Sequence, residues 1–159
     1  TEVPEILSEI LSAAQGNPMH CTEIILHLSN SGVYEITNKK LQFIVTKEEI
    51  NLPNTMQEIV ADRFDALPQA TQMVLKVASV IGLEFPVELL TKIYKASMDT
   101  PVRTFHIHQQ LQEGTDADFI HPDIANPRLY VFKNTQFRQV VYSRMLFSQR
   151  SALHLEIAN

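Results

Sequence analysis

Residues 117–133 read ADFIHPDIANPRLYVFK. They decide the fold, because they interrupt a chain otherwise patterned for helices. β-branched and aromatic side chains gather at both ends of the stretch. That predicts two short strands, 118–121 and 128–133, joined by a proline-containing loop. Upstream, Val74, Val77, Ala78 and Ile81 recur at helical spacing in a segment that begins at Pro68 and is stopped by Gly82. A second short helix follows Pro86 with Leu89, Leu90 and Ile93. A third starts near Pro101 and uses Val102, Phe105 and Leu111. Three short helices followed by a two-stranded wing is the layout of a winged-helix domain.

Further upstream, Met56, Ile59, Val60, Phe64 and Leu67 form the apolar face of a helix. It follows the polar connector TKEEINLPN, and Asn54 or Thr55 can cap it. Residues 3–14 carry Ile6, Leu7, Ile10, Leu11 and Ala14 on one helical face. Gln15-Gly16-Asn17 then closes that helix, the glycine supplying a positive φ. Pro18 can open the next helix, because its missing N–H costs nothing in a first turn. Cys21, Ile24, Ile25 and Leu28 continue an apolar stripe to SNSG at 29–32. VYEITNKKLQFIV then alternates around Thr37–Lys40, the pattern of a short hairpin. Two helices, 135–147 and 148–158, close the chain. The expected class is mainly α with small β elements, in two subdomains with a boundary near residue 52.

The chain has 159 residues, and 45% hydrophobic with 19% charged residues is a globular composition. At this length roughly 70% of the unfolded surface can be buried, so a core needs no staples. Cys21 is the only cysteine, so no disulfide can form within the chain, which fits a reducing compartment. The longest apolar stretch, MVLKVASVIGLEF, is broken by Lys76 and falls short of the roughly 20 residues of a membrane span. No signal-peptide pattern is visible at Thr1, and the expectation is of a piece of something longer. A formal net charge of −5 argues against nucleic-acid binding, which needs clustered cations. Residues 68–134 hold six Lys and Arg against seven Asp and Glu. The helix that would read a groove, PVRTFHIHQQLQ, has Arg103 as its one permanent cation.

No P-loop G-x-x-x-x-G-K-[ST], G-x-S-x-G or H-E-x-x-H occurs, and four glycines (Gly16, Gly32, Gly82, Gly114) cannot build a glycine-rich loop. Cys21 has no neighbouring cations to activate it and reads as a small core residue. His20 and His27 share a helix face seven residues apart, too far for a pair of metal ligands without help from elsewhere. His106 and His108, two residues apart on a helix, point in different directions. These are expected to be ordinary part-buried histidines, and no catalytic or metal-binding residue is assigned.

The order GNP, then LPNTMQEIVADRFDALPQATQMVLKVASVIGLEF, then VFKNTQFRQVVYSRMLFSQRSALHLEIAN resembles the region downstream of the P-loop core in STAND-type (AAA-related) ATPases. That family occurs in transcription regulators, plant resistance proteins and soluble nucleotide cyclases. ASVIGLEFPVELL and QRSALHLEIA are most similar to the soluble adenylyl cyclases. The likeness covers nearly the whole chain, and its specificity comes from motif order and spacing. It implies a helical lid with a short β-hairpin over 1–52 and a winged-helix domain over 53–134. Residues 135–159 would begin a C-terminal helical region.

In the family the Gly-x-Pro turn packs its proline against adenine, which implies nucleotide contact by Gly16, Asn17 and Pro18. A plain helix–helix turn would use the same residues. The family's winged helix also places a histidine after an aromatic-basic pair, touching the β-phosphate of ADP. Here VFKN puts Asn134 at that position, a departure that removes the charge from any phosphate bond. Asn134 reads equally well as the N-cap of the helix starting at Thr135. Lys133 could compensate, although a strand neighbour points the other way. Tyr142, Leu146, Arg150 and His154, at four-residue steps, are expected to form a packing seam.

The resemblance therefore implies a non-catalytic regulatory fragment that couples nucleotide state to conformation in a cytoplasmic cyclase involved in cAMP signalling. ATP or ADP would bind to the parent protein, not to the fragment alone. The partners would be the upstream P-loop core and downstream helical repeats, with no nucleic acid and no membrane span. The rival expectations are an ATPase-linked transcription regulator and a degenerate protein-interaction scaffold.

Overall fold

The computed structural model describes residues 2–45, 50, 52, 53, 55–97 and 104–158. Asn54, Pro101, Val102, Arg103 and the Phe105 side chain lie outside the described residues. The fold is mainly α with small β elements. Its contacts group into two compact units, Thr1–Arg63 and Phe64–Asn159. The division falls eleven residues beyond the sequence boundary of 52, inside the helix Met56–Asp65.

The first unit comprises α1 (Glu2–Ala13), α2 (Pro18–Asn30), the hairpin strands β1 (Tyr34–Thr37) and β2 (Lys40–Phe43), and most of α3 (Met56–Asp65). β1 and β2 pair antiparallel with Tyr34 opposite Phe43 and Thr37 opposite Lys40. Asn38 (φ 52°) and Lys39 (φ 61°) form the two-residue turn, and two successive positive φ values match the twist of a tight hairpin. Thr55 caps α3, its Oγ1 accepting from the Glu58 N–H at 3.2 Å.

Ile6, Ile10, Ala14, Ile24, Leu28 and Ile59 form the core of this unit, with Cys21, Tyr34 and Phe43 packed against it. The apolar stripe of α1 is narrower than the sequence implies. Leu7 and Leu11 are 43% and 61% exposed, and the i, i+4, i+8 row of Ile6, Ile10 and Ala14 turns inward with Ala13 packed beside it. Likewise Ile25 of α2 is exposed, and the inward position beside Ile24 belongs to Glu23. Its carboxylate is fully buried and pairs with the guanidinium of Arg63 on α3. A buried charge is tolerated only with such a partner.

The second unit is built around α4 (Gln69–Ile81), which packs against α5 (Val87–Ser97), α6 (Thr104–Asp116), α7 (Thr135–Ser143) and α8 (Phe147–Ala158). Thr71, Val74, Leu75, Val77, Ala78, Ser79 and Val80 of α4 are all buried. Three strands, β3 (Glu84–Pro86), β4 (Ile120–Pro122) and β5 (Leu129–Phe132), form an antiparallel sheet in the order β3-β5-β4. Phe85 stands opposite Tyr130, and His121 opposite Val131. The sequence pattern yields the two wing strands but not β3, which is three residues long and ends in Pro86. What fixes β3 is the burial of Phe85, whose ring lies 5.7 Å from that of Phe132. Phe64, Phe119 and Phe137 continue the aromatic core, with centroid distances of 6.0 and 5.2 Å.

The chain breaks between α7 and α8 over residues 144–146, slightly earlier than expected. Arg150 holds the break, donating from Nε and Nη2 to the Met145 carbonyl at 3.1 and 2.9 Å. The expected seam is present in three of its four residues. Tyr142 Oη lies 3.0 Å from His154 Nε2, and the Arg150 guanidinium lies 4.9 Å from the Tyr142 ring centroid. Leu146 points outward and is 69% exposed. Among the described residues no helix is long and apolar enough to cross a membrane.

Candidate functional site: the Gly16–Pro18 turn and the Asn134 cap

After Ala14, two consecutive residues take the left-handed conformation, Gln15 at φ 51° and Gly16 at φ 75°. The sequence anticipates Gly16 and misses Gln15. An unbranched side chain can enter this region at a cost that a second non-glycine residue would add to. The Asn17 N–H then donates to the Ala14 carbonyl at 2.9 Å, closing the turn. Asn17 itself is extended (φ −86°, ψ 111°), the geometry of an N-cap.

The Asn17 side-chain Oδ1 accepts from the N–H groups of Met19 at 3.0 Å and His20 at 3.4 Å. Pro18 occupies the first position of α2, where no N–H is needed. Gly16, Asn17, Pro18 and Met19 are all exposed. A Cβ built on Gly16 would meet nothing within 4 Å. The glycine is therefore required by its φ and not by crowding within the described chain.

These details decide which part of a nucleotide the turn could serve. A helix N-terminus binds phosphate through its unpaired N–H groups. Here Asn17 already occupies two of the three such donors that Pro18 leaves. Beside the exposed polar residues Gln15 and Asn17, the turn presents two apolar groups outward, the proline ring and the Met19 side chain. This surface suits the face of a heterocyclic base better than a phosphate.

Asn134 lies in the other unit, between β5 and α7. It is extended (φ −163°, ψ 177°), and its Oδ1 accepts from the Phe137 N–H at 3.0 Å. Its oxygen thus works as the N-cap of α7. Lys133, beside it, donates its N–H to the Phe119 carbonyl at 2.8 Å and pairs through Nζ with Asp118. Its ammonium also lies 5.3 Å from the Phe137 ring centroid. The nearest following cation, Arg138, donates from Nε to the Ser79 carbonyl at 2.9 Å. The cationic groups flanking Asn134 therefore brace β5, α4 and α7. The structure joins Gly16, Asn17 and Pro18 in one turn and assigns Asn134 a capping bond elsewhere in the chain.

The remaining sequence candidates have structural surroundings. Cys21 packs on the core of the first unit. The His20 Nε2 atom is buried with no hydrogen-bond partner among the described residues. Among those residues no three His, Cys, Asp or Glu side chains group to hold a metal ion. Burial of Tyr94 raises its phenol pKa above the ordinary 10.0, so it remains neutral. No family model, curated protein or solved structure matches this chain.

Proposed function

We propose that the chain is a non-catalytic regulatory piece of a STAND-like NTPase module: a helical lid followed by a winged-helix domain. The parent protein would be a cytoplasmic class III adenylyl or guanylyl cyclase. Nucleotide bound to an upstream P-loop core is contacted by the Gly16–Pro18 turn, and the change in contact repositions the winged helix. A ligand that binds one arrangement better than another biases a two-state element, which is all a switch requires.

The observation that carries this reading is the exposed turn, in which Pro18 and Met19 face outward beside an unobstructed Gly16. The order of α4, β3, α5, α6, β4 and β5 supports the winged-helix part, because the sheet order β3-β5-β4 leaves the last two strands as a wing. Asn134 serves as a structural cap in this reading, so Gly16, Asn17 and Pro18 bear the base contact and ADP is held without a charged group at that position. The transcription-regulator alternative is disfavoured by α6, which carries no Lys or Arg from Thr104 to Asp116.

The test is Pro18→Ala in the full-length parent, with affinity for a fluorescent ADP analogue as the readout. A proline at the first helical position can be replaced without loss of a hydrogen bond, so folding is retained. Affinity should fall by about tenfold, the size of one lost apolar contact of 1–2 kcal/mol. Unchanged affinity removes the nucleotide contact and leaves the protein-interaction scaffold.

A further inference from the structure

We propose that a cavity of about 310 Å³ between α4, α5 and α8 is a binding site for a small aromatic zwitterion, of which an aromatic amino acid is the simplest example. The volume lies at the small end of ligand pockets, which run from about 300 to 1,000 Å³. The site is separate from the Gly16–Pro18 turn and does not depend on the reading given to that turn.

The cavity exists because α8 closes it poorly. The inward face of α8 carries Gln149, Ala152, Leu153 and Glu156, and Leu153 is the one buried residue of the helix. A helix packed for stability alone would offer several large apolar residues at this i, i+3, i+4, i+7 spacing. The result is an open cleft, with Ala96, Ser97, Gln149 and Ala152 exposed on its walls. Ala96 and Ser97 of α5 are equally small on the facing wall.

The charges define the ligand. Lys76 lines the cavity from α4, flanked in sequence by the buried residues Leu75 and Val77, with its ammonium 5.9 Å from the Phe64 ring centroid. Glu156 lines it from α8. Both side chains are half-buried, and among the described residues neither forms an ion pair, with the other or with a third group. Lys76 keeps its contact with the Phe64 ring, but neither charge has an ionic partner among the described residues, and a molecule with one anionic and one cationic group provides two. An anion on Lys76 and an ammonium on Glu156 would each form a charge-assisted hydrogen bond.

The body of the ligand is set by the apolar lining. Met73 from α4 and Met145 from the break before α8 bring two thioethers to the cavity, with Val77 and Leu153 beside them. Thioether sulfur makes favourable contacts with aromatic rings and adapts to their shape. An aromatic ring held among these side chains, with its charges directed to Lys76 and Glu156, uses every distinctive feature of the site.

The 159-residue chain, labelled at its methionine methyls, would be titrated with L-tryptophan and followed by NMR. Indole-3-propionate and tryptamine serve as single-charge analogues. The Met73 and Met145 signals should shift saturably, while Met19 and Met56 stay in place. L-tryptophan should bind about tenfold more tightly than either analogue. Lys76→Gln should weaken L-tryptophan and indole-3-propionate and spare tryptamine. Glu156→Gln should weaken L-tryptophan and tryptamine and spare indole-3-propionate. Ala152→Met, which fills the cavity from an exposed position, should abolish all three. Far-UV circular dichroism and a cooperative thermal melt report that each variant is folded. The proposal is overturned if millimolar L-tryptophan leaves Met73 and Met145 unshifted, or if the shifts survive in all three folded variants.

Discussion

In residues 1–63 the core is a row of aliphatic side chains, Ile6, Ile10, Ala14, Ile24, Leu28 and Ile59, with one ion pair, Glu23–Arg63, sealed beside it. In residues 64–159 the largest fully buried side chains include Phe64, Phe85, Phe119, Phe132 and Phe137. The ion pairs described there lie at the surface, the Arg128–Glu88 pair being 82% and 80% exposed. The two regions thus answer the same problem differently. One uses a narrow seam plus an electrostatic tie that must remain complete. The other uses broad rings packed against one another, so that one ring serves several contacts.

The contrast predicts where each region fails. The largest effect is expected at Phe119, which contacts both Phe64 and Phe137. Phe119→Ala should cost about 3–5 kcal/mol in urea denaturation, from lost burial and the cavity left behind. If the loss is below about 1.5 kcal/mol, the range of a volume-conserving exchange, the aromatic core repacks and the contrast is weaker than drawn.

In the first region, Arg63→Met should cost up to about 3–5 kcal/mol, because it strands the Glu23 carboxylate in the interior. Adding Glu23→Leu should restore most of that loss, since a buried pair replaced by apolar residues is often neutral or stabilising. Failure of the double variant to recover would mean that the pair contributes beyond charge neutralisation.

Two asparagines give a smaller-scale version of the comparison. Asn17 and Asn134 both cap helices from an extended backbone, with oxygen–nitrogen distances of 3.0 Å to Met19 and 3.0 Å to Phe137. Asn17 is exposed and Asn134 is half-buried, next to the core residue Phe137. Asn134→Ala should cost about 1–2 kcal/mol and Asn17→Ala about 0.5–1 kcal/mol, within the range of cap removals. Amide hydrogen exchange in the first turns of α7 and α2 separates the two. Equal effects would show that burial around Asn134 adds nothing to its cap.

Local chemistry explains which of these features were legible in the sequence. Pro18 and Gly82 mark helix ends through their backbones, and Thr55 and Asn134 through side-chain caps, none of which needs tertiary context. The hairpin and wing strands follow from alternation of β-branched and aromatic residues. Glu23 could not be read as buried, because its partner Arg63 is 40 residues away. The strand at Phe85 was hidden because three residues hold no alternation to count. The cavity between α4, α5 and α8 was hidden for a related reason. Met73, Lys76, Ser97 and Glu156 carry no shared pattern until three helices bring them together. The Gly16–Pro18 turn was legible as geometry, since Gly16 admits a positive φ without strain and Pro18 fixes its own.

The smallest expected effect also tests the turn most directly. Gly16 sits at φ 75° with open space where a Cβ would stand. Asparagine tolerates this left-handed region better than other side chains. Gly16→Asn should therefore lower stability by only a few tenths of a kcal/mol, well below the Ala substitution at roughly 1–2 kcal/mol. The turn keeps its shape, but a side chain now stands where a base would approach. If nucleotide binds against this face, Gly16→Asn in the full-length parent should weaken ADP binding while thermal melting barely moves. Should affinity and melting both stay unchanged, the glycine serves only to reverse the chain between α1 and α2. The two asparagine-capped helices would then differ in burial alone.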